Sequence, residues 1–392
     1  MRRRIGRYKS KKQRKILIIG SLSLLLFLCV GYAAFQTNLS LTARGNIKER
    51  NNLYVSSTGS DTKGNGTINK PYATIQKAYN SAWQNSTIYV MDNITQTEKT
   101  TMDKNKDIIL TSYSQTGNTN SIIRSSSLTT HLIDVQDGVL TLQNITINGN
   151  DVPSQDSMIN VASEVYMEEG TLITKANNVN DWGGGFSVNG GTLTMNGGSI
   201  SGNNTNAGGT AIFVFGDHQE GDNVENNKQG TFILNNGTIS NNRGGNGIIW
   251  SAGTMKINGG TINNNFSSHY SILFSAGEFV MTNGTISNNT LESDEYFGGI
   301  VACTEYINIK GTMLMTGGII KNNTSNVTGG IHVGSTSKMA LTLDGGSVMN
   351  NTSTGYFGGI EVPYTNTYVY KSGVVCGNTP ANEYETSTTC PN

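Results

Sequence analysis

A repeat constrains this 392-residue chain more than its size or its charge does. Nine apolar residues mark it: Ile147, Leu172, Ile200, Ile239, Ile262, Ile286, Ile320, Val348 and Val375. Seven and five residues before each stand two further apolar or aromatic side chains, such as Leu193 and Met195 before Ile200. A spacing of two is the period of a strand with one face buried. Two residues before the reference is a glycine, Gly170, Gly198, Gly237, Gly260, Gly284, Gly318, Gly346 or Gly373, with Ile145 the exception. A residue without Cβ recurring at one position marks a bend. Three residues after the reference is an asparagine, with Lys175 the exception. Asparagine tolerates turns, and identical amides stacked along an axis can bond as a ladder. The expected ladder is Asn203, Asn242, Asn265, Asn289, Asn323, Asn351 and Asn378.

Successive references lie 25, 28, 39, 23, 24, 34, 28 and 27 residues apart, so a basic coil of about 23 residues carries insertions. Asp217–Lys228 and Leu291–Phe297 fall in the two longest units. The period suits one coil of a parallel β-helix, and the LxxLxL pattern of a leucine-rich repeat is missing. Each unit also has an earlier strand, read as Phe186/Val188, Ile212/Val214, Ile248/Trp250, Ile272/Phe274, Ile300/Ala302, Ile331/Val333 and Ile360/Val362 facing inward. The expectation is an all-β solenoid with three short strands per coil. Charged residues are only 14% of the chain, against roughly 25% in a typical soluble domain, while glycine alone contributes 48 residues. That balance excludes a large helical protein.

The formal charge of zero conceals a division. Residues 1–15 hold nine Lys/Arg and no acid, and residues 16–35 are uncharged. The remainder has 18 basic against 27 acidic residues, a net of −9 that disfavours a nucleic-acid partner. Twenty uncharged residues suffice to cross a hydrocarbon core of about 30 Å, and the basic flank keeps its side in the cytoplasm. The division expected is a basic cytoplasmic segment 1–15, a transmembrane helix 16–35, a linker 36–52, the β-helix 53–378 and a tail 379–392. The expected location is the cell membrane, single-pass, with the C-terminal domain outside. Cleavage as a signal peptide near Ala33, which would release the protein, is the alternative, because Gly31 and Ala33 are small residues at the right spacing. Cys29 lies in the apolar segment, leaving Cys303, Cys376 and Cys390. Cys376 and Cys390 are placed to clip the tail, whereas no CxxC motif or Cys/His cluster points to zinc.

Residues 53–91 read as the cap and first strand of the stack. Tyr72, Ile75, Tyr79 and Ala82 recur at helical spacing after Pro71, which predicts an amphipathic helix over 71–83, followed by a strand over 87–91. The stretch YVSSTGSDTKGNGTINKPYATIQKA (residues 54–78) resembles the opening motif of right-handed parallel β-helix proteins of the pectate-lyase-like superfamily. Tyr54, Gly59, Asp61, Gly64, Pro71, Tyr72, Thr74, Ile75, Gln76 and Ala78 carry the likeness. The segment GYAAFQTNLSLTARGNI resembles the export leader of many Gram-positive surface proteins. The first resemblance implies a right-handed solenoid but not one activity, since that superfamily holds lyases, hydrolases, epimerases and non-catalytic surface proteins.

Its lyases use Ca²⁺ held by several carboxylates with a nearby Arg or Lys base, and its hydrolases use clustered Asp. Here the outward positions of the second strand are Thr194, Ile233, Lys256, Val280, Leu314, Thr342 and Val369, with no carboxylate among them. The chain carries no resident cofactor on this reading, and Asp217, Glu220 and Asp222 are the candidate Ca²⁺ ligands, with Glu292–Glu295 a second acidic loop. On the first strand Phe213, Ile249, Leu273 and Val301 are expected to face outward as an apolar groove, or to lie under a neighbouring insertion. The functional expectation is an exported β-helix acting as a carbohydrate- or partner-binding adhesion module or rigid spacer. Its partners would be the membrane, through the N-terminal helix, and a polysaccharide or surface molecule. The alternative is a polysaccharide lyase or glycoside hydrolase acting on acidic polysaccharide.

Overall fold

The computed structural model describes residues 52–392 except 115–118, 180–181, 217–227, 294–297, 307–308, 335–336, 338–339, 364–366, 381–385, 387–389 and 391–392. The segment 16–35 and the acidic loop Asp217–Asp222 lie outside the described residues, and no described helix is long and apolar enough to cross a membrane.

The chain winds as a parallel β-helix. One coil shows the plan: a first facet Ile249–Ser251, a second Thr254–Ile257, a third Thr261–Asn263 and a fourth Phe266–Ser267. First-facet strands form a ten-stranded parallel sheet and fourth-facet strands a six-stranded one. The second and third facets belong to one 21-stranded sheet, joined where Leu341–Met349 and Tyr368–Cys376 run through both. Three strands per coil were expected. The coil has four from the pair Pro153–Ser154 and Asn177–Asn178 onward, and from Asn204 these strands form the six-stranded sheet, because the turn after the third facet is itself extended and pairs with its neighbours.

Second-facet register follows the sequence period. Leu234 pairs with Ile257, Ile257 with Met281, Met281 with Met315 and Met315 with Leu343, all essentially enclosed. Each interior column thus holds one apolar side chain per coil, at roughly 0.8 kcal/mol per buried methylene. Leu172 is a correction: Ile173, not Leu172, fills the interior between Ile147 and Ile200. One extra residue in the turn before it shifts the strand, and a one-residue shift exchanges the faces.

The turn after the third facet explains the asparagines. Asn241, Asn264, Asn288, Asn322 and Asn350 have φ of 54–55°, the left-handed region. The residue that follows each one turns its amide inward. In the flanking coils Gly202 and Gly377 take the left-handed position before Asn203 and Asn378. The two tasks first ascribed to a single asparagine are therefore divided between neighbours. Asn203 Nδ2 donates to Asn242 Oδ1 (2.9 Å), Asn242 to Asn265 (3.0 Å), Asn265 to Asn289 (3.0 Å), Asn289 to Asn323 (3.0 Å), Asn323 to Asn351 (2.9 Å) and Asn351 to Asn378 (3.1 Å). Each Oδ1 also accepts the backbone N–H of the preceding ladder residue, as Asn265 does from Asn242 (3.0 Å), and each Nδ2 reaches a backbone carbonyl, as Asn265 does to Ile239 (2.9 Å). The row begins at Ala176, whose N–H donates to Asn203 Oδ1.

The N-terminal end is closed by Ile75–Ser81, a helix shorter than the predicted 71–83. Thr74 caps it by accepting from Lys77 N (3.1 Å), and Asp61 accepts from Ala73 N, Thr74 N and the Thr74 hydroxyl. Pro71 and Tyr72 stay extended, because Tyr72 bridges Val55. Ile75, Ala78, Tyr79 and Ala82 cover the open end of the core. Gln76 behaves as a piece of strand: its Oε1 accepts from Thr101 N (2.7 Å) and its Nε2 donates to Thr101 O (3.1 Å), sealing the edge of the first facet. Lys106 Nζ donates to Tyr79 O and Ala82 O at the other end of the helix. The strand expected at 87–91 is Ser86–Val90, and Asn52–Val55 precedes it in the same sheet. At the C-terminal end Cys376 and Cys390 form a disulfide, while Cys303 is free and buried, its thiol pushed up to about 12 by desolvation.

Candidate functional site

The outward row of the first facet is continuous and chemically segmented. In order of coils it runs Thr101, Asp134, Asn160, Ser187, Phe213, Trp250, Phe274, Ala302, His332 and Glu361. This corrects the expected groove. Phe213 is in the row, but Ile249, Leu273 and Val301 point into the core and are fully buried. The outward residues of those coils are Trp250, Phe274 and Ala302, which the sequence reading had placed inside. The cause is the corner before the strand: Ile248, Ile272 and Ile300 are also fully buried, so two successive residues face inward and the period of two slips by one.

The middle of the row is an aromatic stack. Trp250 lies on Phe274 with ring centroids 3.8 Å apart and planes 16° from parallel. Tyr270 and Tyr306 meet Trp250 edge-on, each at 5.5 Å, and Phe215 meets Phe213 edge-on at 4.7 Å. Such arrangements set the positive edge of one ring against the negative face of another. Trp182 completes the cluster, 4.9 Å from Phe213 and 5.8 Å from Trp250. It fits there because Gly208 has no side chain: a Cβ would come within 2.6 Å of its ring. Phe213, Trp250 and Phe274 are covered by this second layer, whereas Trp182 remains 36% exposed. Among the described residues the cover is this aromatic layer, which comes from four separate places in the chain, and the insertion expected to fold over the row lies at 217–227, outside the described residues.

The flanks are polar, and their carboxylates are paired within the chain. Asp134 accepts from Lys99 Nζ (2.8 Å), Asn160 Nδ2 (2.8 Å) and Gln136 Nε2 (3.0 Å). Burial pushes its carboxyl up, and these donors together with the Lys99 charge outweigh burial and hold it below the usual value. Ser187 bonds Asn160 and Ser157, and Ser157 contacts His131 Nδ1. At the other end Glu361 Oε2 accepts from the Thr328 hydroxyl and faces His332 Nδ1 at 3.0 Å. Burial raises the Glu361 carboxyl and these contacts lower it, with a net depression. Both carboxylates are committed to neighbours, so neither is poised as a general base.

On the second facet the outward row Thr194, Ile233, Lys256, Val280, Leu314, Thr342 and Val369 is as read. Among the described residues no three His, Cys, Asp or Glu side chains converge as a metal site. Asp217, Glu220 and Asp222 are outside that set, and of the second acidic loop only Glu292 and Ser293 are described. Trp182, Tyr270 and Tyr306 escaped the sequence reading because they stand in connections outside the repeat. Comparison with protein-family models, with curated proteins and with solved structures found no match to this chain.

Proposed function

We propose that this chain is an exported, surface-exposed right-handed β-helix, held to the membrane by residues 16–35, that binds polysaccharide without cleaving it. One observation carries the reading: seven aromatic side chains, Trp182, Phe213, Phe215, Trp250, Tyr270, Phe274 and Tyr306, converge on one facet, with Trp182 open to solvent at their edge. A rigid aromatic plane complements the C–H face of a sugar ring. The kinship suggested by the opening motif and the export leader supports the extracellular setting.

The test is co-sedimentation of the full chain, solubilised in detergent, with insoluble cellulose, chitin and peptidoglycan. Retention on at least one polymer that falls at least tenfold in Trp182→Ala is expected. Retention on none, or equal retention by both proteins, overturns the aromatic binding surface.

A further inference from the structure

The elements that close the N-terminal end of the solenoid differ from the rest of it in charge. Residues 56–73 run along the free edge of Asn52–Val55, where Gly66 O accepts from Tyr54 N (2.9 Å) and Tyr72 O from Ser56 N (3.0 Å). The helix Ile75–Ser81 lies over the end of the core beside them. Together these elements carry Lys63, Lys70 and Lys77 against Asp61 alone, and Asp61 is consumed by the helix cap. Among the described residues no carboxylate lies within ion-pair reach of the three lysines. Residues 107–392 hold 9 Lys/Arg against 22 Asp/Glu, a net of −13. The solenoid is therefore polarised, positive at its capped end and strongly negative beyond it.

Two large apolar side chains stand out at the same end. Trp83, just after the helix, is 48% exposed, and Ile68, in the turn closed by Lys70 N donating to Thr67 O (3.0 Å), is 38% exposed. Lysine beside tryptophan suits a bilayer surface, since ammonium groups meet phosphates and an indole settles at headgroup level. Residues 36–51 put sixteen residues between the apolar segment 16–35 and the first strand, a reach of at most about 55 Å. They add Arg44, Lys48 and Arg50 against Glu49. On the reading that 16–35 crosses the membrane, this tether keeps the capped end beside the bilayer, where a weak attraction suffices because the encounter is intramolecular. We propose that the capped end docks on anionic phospholipid headgroups, with Lys63, Lys70 and Lys77 on phosphates and Trp83 and Ile68 in the interface. The same surface repels the acidic remainder, which favours end-on docking over docking along a facet.

The full chain in lipid nanodiscs tests this, with phosphatidylcholine alone or with about 30% phosphatidylglycerol. Part of the phosphatidylcholine carries bromine near the headgroup end of its acyl chains and quenches indole fluorescence on contact. Quenching in the anionic discs at least twofold above that in the neutral discs is expected. It should disappear in Trp83→Phe, which keeps Trp182 and Trp250 as internal controls. Salt at about 0.5 M, with a screening length of about 4 Å, should return the native chain to the neutral-disc value. The triple variant Lys63→Glu, Lys70→Glu, Lys77→Glu should reach that value without added salt. Quenching that is absent from both discs, equal in both, or retained in Trp83→Phe overturns the proposal. A chain that does not co-elute with discs of either kind overturns the membrane span and the docking together, whereas co-elution without Trp83 quenching overturns the docking alone.

Discussion

The two halves of the solenoid turn the same corner in different ways. From Asn203 to Asn378 every coil uses one device: a left-handed Asn or Gly followed by an asparagine whose amide bonds the next coil. Before Ala176 the corner is met with particular side chains. Gln96 and Arg124 pair in adjacent coils, and Arg124 Nη1 donates to Leu128 O and Thr130 O from a fully buried guanidinium, whose pKa desolvation lowers to about 10. Asn150 stands in the repeat at the ladder spacing, yet it is itself left-handed (φ 57°) and its Nδ2 makes only a long bond to Arg124 O (3.3 Å). The same residue type at the same spacing thus serves two structural purposes. What makes a ladder is the left-handed residue before the asparagine, which frees its amide to enter the stack.

The contrast can be broken or sharpened by mutation. The largest effect should come from the interior column that the ladder keeps in register: Ile257→Ala, nearly fully enclosed between Leu234 and Met281, should cost about 2–5 kcal/mol in chemical denaturation. Asn265→Ala should follow at about 3 kcal/mol, since it strips a buried acceptor from both Asn242 N–H and Asn242 Nδ2 and a donor from Ile239 O. Asn150→Gly, which keeps the left-handed backbone and deletes one bond, should cost about 1 kcal/mol. Equal losses for these two would mean that the ladder is no stronger than an isolated amide.

Acid sharpens the contrast from the other side. The Asp134 carboxyl is held below its ordinary value of 3.8, so its contribution is present above that pH and is lost as pH falls through the lower folded value. Thermal melts at about pH 5 and about pH 3 should show a larger drop for the native chain than for Asp134→Asn, and identical drops would reject the role given to Lys99, Asn160 and Gln136. The ladder amides do not titrate, so Asn265→Ala should lose as much at one pH as at the other. The smallest effect belongs to Lys256→Ala, one residue from Ile257 but outward, with a change within about 0.5 kcal/mol. A larger loss there than at Ile257 would invert the register.

These same residues show how far the sequence could be read. The second-facet columns and the ladder positions were legible because each strand is short, alternates cleanly and ends at a glycine bend. The first facet was misread in three consecutive coils, at Ile249, Leu273 and Val301, because its corner places two adjacent apolar residues inside and alternation cannot locate the slip. Leu172 failed for a related reason, a single inserted residue hidden in a turn. The aromatic cover was illegible because Trp182, Tyr270 and Tyr306 meet only through winding, from connections that share no spacing with the repeat.

The direction of the ladder has a consequence for how such a chain can change over generations. Every member gives to the coil after it and receives from the coil before it through the same atoms, so the segment between two members is an interchangeable cassette. Excising residues 243–265 would bring Asn242 against Asn289, with the donor and acceptor that Asn265 had offered to either side. Duplicating them would insert one more rung between existing partners. Length in this half is thus free to drift in whole turns by recombination, while the individually fitted corners before Ala176 hold the number of turns near the cap fixed.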